Sequence, residues 1–187
     1  VYQPTLIEPP ATTPVSLDEA KQHLRVDHDD HDVLITSQIE AATQYLDGFV
    51  GILRRGLVTQ TWAQEYTGFS TCMRLPLAPV SAIDEITYTN AAGGAESLAP
   101  SEYETLSDEM GPYVSFNNIP SADSGRVKIT FVAGYGAAQN VPAPIKSAIL
   151  LHVGSLYEMR EREIVGASLV ESTTYKTLLA PYRRWKI

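Results

Sequence analysis

Residues 82–89, Ala-Ile-Asp-Glu-Ile-Thr-Tyr-Thr, run directly into Asn90-Ala-Ala-Gly93-Gly94. The first stretch is rich in β-branched and aromatic residues. The second has the Asn and Gly content that a tight turn needs, so the pair predicts a strand entering a hairpin. Working outward, Leu57, Thr59 and Thr61 alternate with Val58, Gln60 and Trp62, which predicts a strand through Tyr66. Leu75-Pro-Leu-Ala-Pro79-Val80 reads as a proline-punctuated link. Further short strands are expected at 101–106, 113–116 and 126–132, with Gly134-Tyr-Gly136 closing the last. No helical period interrupts this run, which argues for antiparallel pairing and an α+β class rather than a parallel βαβ sheet.

Helices are expected on both flanks. Ser16-Leu-Asp-Glu19 is a capping box, in which the Ser16 and Glu19 side chains each satisfy a free N–H at a helix start, and the helix should run to about Arg25. Asp29, Asp30 and Asp32 are expected to cap a second helix. Its apolar face would carry Leu34, Ile35, Gln38, Ile39, Ala42, Tyr45, Leu46 and Phe49, before Gly48, Gly51 and Gly56 end it. Val141-Pro-Ala-Pro144 primes a third helix through Ile145, Ile149, Leu150, Val153, Leu156 and Tyr157 to about Arg162. Residues 174–182 form a short fourth. The expected organisation is an extended, proline-rich arm at 1–15, helices at 16–56 and an inserted antiparallel β-domain at 57–136. A C-terminal helix with its following loop at 137–173 and a tail at 174–187 complete it, so that helices from distant parts of the chain form a small bundle.

Composition narrows the function. The chain has 187 residues and a formal net charge of −8, which excludes a general electrostatic affinity for nucleic acid. Cys72 is the only cysteine, so an intrachain disulfide and a cysteine zinc finger are excluded, and folding in a reducing compartment is expected. No run approaches the apolar length of a membrane span, and no basic-then-apolar leader is visible. A soluble protein with no membrane partner is therefore expected. The charge is unevenly placed. From Asp84 to Asp123 the acids Asp84, Glu85, Glu96, Glu102, Glu104, Asp108, Glu109 and Asp123 occur without a Lys or Arg. After Val141, Lys146, Arg160, Arg162, Lys176, Arg183, Arg184 and Lys186 outnumber the acids. Such asymmetry suits different contacts at different ends; were copies of the chain to assemble into a ring, Glu102 and Glu104 of one would be the candidates to meet Arg160 and Arg162 of the next.

Chemical motifs are weak. His23, His28 and His31 with Asp27, Asp29, Asp30 and Asp32 gather potential metal ligands, the basis for a metal-dependent hydrolase. Their spacing matches no ligand motif, and caps and turns account for them more simply. Gly134-Tyr-Gly136 lacks the third glycine of a dinucleotide loop, and no nucleophile elbow or Walker motif occurs. The expectation is no catalytic residue, no metal and no cofactor. A second reading, a small-molecule or carbohydrate-binding module, would use Tyr66, Tyr88, Tyr103 and Tyr113 of the β-domain. The basic-aromatic end Tyr182-Arg-Arg-Trp185-Lys-Ile187 has the residue types enriched at binding hot spots.

Seven blocks carry a family resemblance: Pro14-Val-Ser-Leu-Asp-Glu-Ala-Lys-Gln-His-Leu-Arg-Val-Asp-His-Asp-Asp30, Ile39-Glu-Ala-Ala42, Leu57-Val-Thr-Gln-Thr-Trp62, Arg74-Leu-Pro-Leu-Ala-Pro-Val-Ser-Ala-Ile83, Val132-Ala-Gly-Tyr-Gly136, Val141-Pro-Ala-Pro-Ile-Lys-Ser-Ala-Ile149 and Leu178-Leu-Ala-Pro-Tyr-Arg183. In this order the chain resembles the head-tail connector, or adaptor, proteins of tailed phages and phage-like gene transfer agents. The resemblance implies a non-enzymatic ring of twelve copies in the neck of a virion, assembled in the bacterial cytoplasm and docked beneath the portal protein. Such a ring offers a surface to a tail-side stopper or terminator protein and surrounds double-stranded DNA without binding it specifically. It also implies a C-terminal segment directed at the portal, with Leu178, Leu179, Tyr182, Arg183, Arg184 and Trp185 as the contact residues. The strand-rich insertion departs from the shortest, nearly all-helical members.

Overall fold

The structure is a computed structural model that describes residues 2–120, 125–159 and 173–184. In chain order the elements are β1 (Thr5–Glu8), α1 (Leu17–Leu24), α2 (Asp32–Leu46), β2 (Gln60–Tyr66), β3 (Cys72–Arg74), β4 (Val80–Thr89), β5 (Ala95–Ser97), β6 (Tyr103–Asp108), β7 (Gly111–Phe116), β8 (Val127–Ala133), α3 (Ala143–Glu158) and α4 (Thr173–Leu179). The class is α+β. Strands lie in the order β1-β2-β8-β4-β5 in one sheet and β3-β7-β6 in another, and every pairing is antiparallel.

The start of α1 follows from its sequence. The Glu19 N–H donates to Ser16 Oγ at 3.1 Å and the Ser16 N–H to Glu19 Oε2 at 2.8 Å, and Arg25 ends the helix in the left-handed region at φ 59°. The start of α2 corrects an expectation. Its N-cap is His31, without a side-chain hydrogen bond, so the aspartates do not cap it. Lys21, in the last turn of α1, draws Asp29 and Asp32 away at 2.6 and 2.8 Å. An ammonium with two carboxylate partners outcompetes a backbone N–H that water can reach. Along α2, Ile35, Gln38, Ile39, Ala42 and Leu46 are buried as the period predicts, whereas Leu34 and Tyr45 are exposed.

Two apolar clusters result. The helical one joins Val15 through Val58 to Val141 through Leu179. The β one is built from Trp62 through Ala133, with Phe131 and Ile86 at 0% exposure. Strand β2 sits at the seam and is buried on both faces. Its simple alternation is therefore filled with satisfied polar groups. Gln64 donates to the Tyr2 carbonyl at 2.6 Å, and Gln60 Oε1 accepts from the Trp62 indole N–H at 2.8 Å. The stretch expected as an extended arm contains β1, which pairs along β2 with Thr5 opposite Ala63 and Leu6 opposite Trp62. Pro4 and Pro9 flank the paired residues, so no ladder donor is lost. Gly134, at φ 129°, lies so close to the Val58 carbonyl that a Cβ would clash. The Gly134-Tyr-Gly136 turn thus serves backbone packing: Tyr135 N–H donates to the Leu57 carbonyl at 3.0 Å.

Asp47 ties the layers together. It follows α2, and its carboxylate accepts from the Leu57 N–H at 2.7 Å and from the Gln60 amide at 3.1 Å. Burial pushes its pKa above the ordinary carboxylate value, against the lowering effect of these donors.

Candidate functional site

The C-terminal segment is held in place by its own chemistry. Helix α4 gives way to a 3-10 turn at Ala180–Tyr182. Leu179, 4% exposed, inserts into the helical cluster, and Tyr182 packs beside it. Arg55 Nε donates to the Tyr182 carbonyl at 2.6 Å. The Arg184 N–H donates to the Leu53 carbonyl at 3.2 Å, and its guanidinium reaches the Met110 carbonyl at 2.9 Å and the Pro76 carbonyl at 3.5 Å. Gly111 permits this approach, since a Cβ there would collide with the Arg184 guanidinium. Burial, with Arg55 and Arg74 nearby, makes Arg184 a weaker base than usual.

The hairpin that receives Arg184 is fixed by a second arginine. Arg74 pairs with Asp108 through two parallel bonds of 2.9 and 2.7 Å and lies 5.4 Å from the Tyr113 ring centroid. This guanidinium, helped by the Met110 and Gly111 N–H groups, holds the Asp108 pKa down to about 2. Arg54, at φ 55°, rests 4.5 Å from the Phe49 ring centroid. The result is an arginine-lined seam between the layers, with one cleft of about 820 Å³ and another of about 740 Å³ meeting at Arg184.

Of the residues expected to contact a portal, Arg183 is exposed, Leu178, Tyr182 and Arg184 are half-buried and Leu179 is buried, while Trp185 lies outside the described residues. Arg160 and Arg162 also lie outside them. Glu104 is exposed on β6. Glu102 accepts from the Ala99 N–H at 3.1 Å, a local cap, and is half-buried. Sequence reasoning missed Arg54, Arg55 and Arg74 as members of a charged group. The Arg54-Arg55 pair between Gly51 and Gly56 was a faint signal, but only folding brings it to Arg74 and Arg184.

Among the described residues, side chains named for the competing chemical readings are engaged in local contacts. Tyr66 donates to the Arg74 carbonyl and Tyr88 to Glu96, each at 2.6 Å, while Tyr113 lies beneath Arg74. Tyr103 packs with the β cluster, and only Tyr66 of the four lines the larger cleft. His31 contacts the Tyr157 hydroxyl at 2.6 Å, and Asp29 and Asp32 are taken by Lys21. Among the described residues no group of three or more His, Cys, Asp or Glu side chains is placed to hold a metal. His152 packs edge-on between Tyr45 and Tyr175, and burial lowers its pKa, as for an aromatic core residue.

The geometry is thus an α+β scaffold with an arginine-lined seam and a C-terminal segment docked against it. The phage gp6-like head-tail connector protein family matches residues 14–119, more than half of the chain, and the chain belongs to that family. No curated protein matches it in sequence. Solved structures share the fold, among them three from gene transfer agent particles. A chain from the virion of a native gene transfer agent particle is 20% identical with a TM-score of 0.78, covering 100% of this chain and 97% of that one. A chain from the neck of an empty gene transfer agent particle, computed with C6 symmetry, is 21% identical with a TM-score of 0.77 and the same coverage. A chain from the neck of a native particle, computed with C12 symmetry, is 21% identical with a TM-score of 0.68, covering 98% and 97%.

Proposed function

We propose that this head-tail connector forms a twelve-membered ring in the neck of a phage-like particle. The ring docks beneath the portal protein, presents its other side to a tail-side stopper or terminator protein and surrounds the DNA during packaging completion and ejection. The observation that carries this reading is the end-to-end likeness to neck chains, one of them in a neck computed with C12 symmetry, in a chain whose family is that of head-tail connectors. Charge agrees with it. A ring that conducts DNA works best with few phosphate contacts, because each Lys or Arg on a phosphate releases counterions and strengthens binding; a subunit of net charge −8 avoids that grip.

The C-terminal segment is the portal contact in this reading. Arg183 and the half-buried Leu178 and Tyr182 present its accessible side, Leu179 and Arg184 brace it against the body, and Trp185, outside the described residues, completes the proposed contact set. Subunits meet through unlike surfaces, with the acid-only strand region of one copy facing a basic surface of the next. The direct experiment omits the protein from particle production. The expected result is DNA-filled heads and separate tails by electron microscopy. Fully joined particles in its absence would refute the connector role for this chain.

A further inference from the structure

The larger cleft has an unusual lining. Arg54, Arg74 and Arg184 share it with Phe49, Tyr66, Phe69 and the exposed thiol of Cys72, and among the described residues no Asp or Glu lines it. In a chain of net charge −8, such an acid-free cationic recess stands apart. Arg74 has a carboxylate partner in Asp108. Arg184 donates to carbonyls alone and Arg54 rests on an aromatic ring, and among the described residues no ion pair reaches either. Burial of Arg184 beside Arg55 and Arg74 leaves positive charge that an incoming carboxylate would offset.

The opposite chemistry lies across the sheet. Tyr2 and Pro4, flanking edge strand β1, line the cleft, whereas β5 is the other edge of the same five-stranded sheet. Ala95, Glu96 and Ser97 of β5 are all exposed, as are Asp84 and Glu85 of β4, and no Lys or Arg occurs from Asp84 to Asp123. Two unlike surfaces at opposite edges form a heterologous contact, which repeats by rotation and closes rings rather than dimers. We infer that the Arg54–Arg74–Arg184 cleft is the socket for the acidic β4–β5 edge of the adjacent copy. The aromatic walls favour a protein edge over a DNA backbone, and Asp108 and Glu109 border the adjoining cleft, interrupting any basic track. This inference rests on the ring reading above.

Cys72 supplies the test. The full-length chain is assembled with its portal protein as A95C, and separately as A92C. Both are exposed hairpin positions that leave Glu96 in place, and the assemblies are oxidised gently. The expected result is a ladder of disulfide-linked multimers of this chain, removed by reductant and by C72S. Cys72 should be reactive to maleimide in the free chain and protected at least tenfold in the ring. R54E should lower ring yield at least tenfold, and E96R added to R54E should restore it. Rings that form with no ladder and a reactive Cys72 overturn the inference while leaving the ring reading intact. Protection of Cys72 with cross-links to another neck protein, or protection lost on nuclease treatment, also overturns it. Failure of the unmodified chain to assemble removes the ring reading, and this inference with it.

Discussion

The helical layer and the β layer bury comparable apolar side chains by opposite routes along the chain. The β cluster comes from one continuous stretch, Trp62 through Ala133, whereas the helical cluster needs Val15 through Val58 and Val141 through Leu179 brought together. The contact between His31 and Tyr157 spans 126 residues, and Lys146 reaches Glu19 across 127 at 2.6 Å. The flanking helices therefore pack directly on one another although the strands separate them in sequence, and Asp47 links the end of α2 to Leu57 and to Gln60 of β2. The seam between the layers is where the tail and the arginines collect. Arg54, Arg55, Arg74 and Arg184 come together there, whereas the acids of β4 and β5 lie toward the far edge of the sheet.

The largest expected effects test whether the layers fold as one. Phe131→Ala in the β cluster should cost about 3–5 kcal/mol and Ile149→Ala in the helical cluster about 2–5 kcal/mol, both read by denaturant unfolding. Each should shift a single cooperative transition monitored by both near- and far-ultraviolet circular dichroism. Separate transitions after either substitution would show the layers to be independent.

A smaller effect is expected at the seam. Asp47→Ala removes the acceptor of the Leu57 N–H and the Gln60 amide from a largely buried position and should destabilise by about 1–3 kcal/mol, reduced by relief of the buried charge. Arg184→Ala should cost about 1 kcal/mol and raise amide exchange in 173–184 and in the 108–112 hairpin, leaving Phe131 and its neighbours protected. Arg183→Glu, at an exposed position, should change stability by less than about 0.5 kcal/mol. It should weaken portal binding in a pull-down all the same; unchanged binding would remove Arg183 from the portal contact.

The smallest effect separates two aspartates by sign. Asp108 has a depressed pKa, so its contribution is present above the ordinary 3.8 and is lost as pH falls toward about 2. Asp47 has a raised pKa, so its contribution is present at low pH and is lost as pH rises from 3.8 through its higher folded value. Carboxyl carbon titration by NMR should show the two shifts in opposite directions, and Asp108→Asn should remove only the acid-side component.

Much of this architecture was legible in local chemistry. The Ser16–Glu19 capping box, the Asn90–Gly94 hairpin and the proline-primed α3 each depend on neighbours in sequence. In the hairpin, Asn90 Oδ1 accepts from the Ala92 and Gly94 N–H groups at 3.0 and 2.8 Å. Strand β1 hid behind Pro4, Pro9 and Pro10 because its partner lies more than fifty residues away, and β3 is only three residues long. Lys21 overrode the expected aspartate caps through tertiary proximity. The arginine seam was invisible for the same reason: Arg54, Arg74 and Arg184 come from three separate segments, and the charge reversal after Val141 pointed to Arg160 and Arg162 instead.

In the proposed function, copies of this chain form a closed ring against a portal. Electron microscopy of the full-length chain purified with its portal protein tests it most directly. The expected result is a complete ring of twelve copies with the C-terminal segment on the portal side; a single copy per portal, or a ring whose C-terminal segments face away from it, would overturn the proposal.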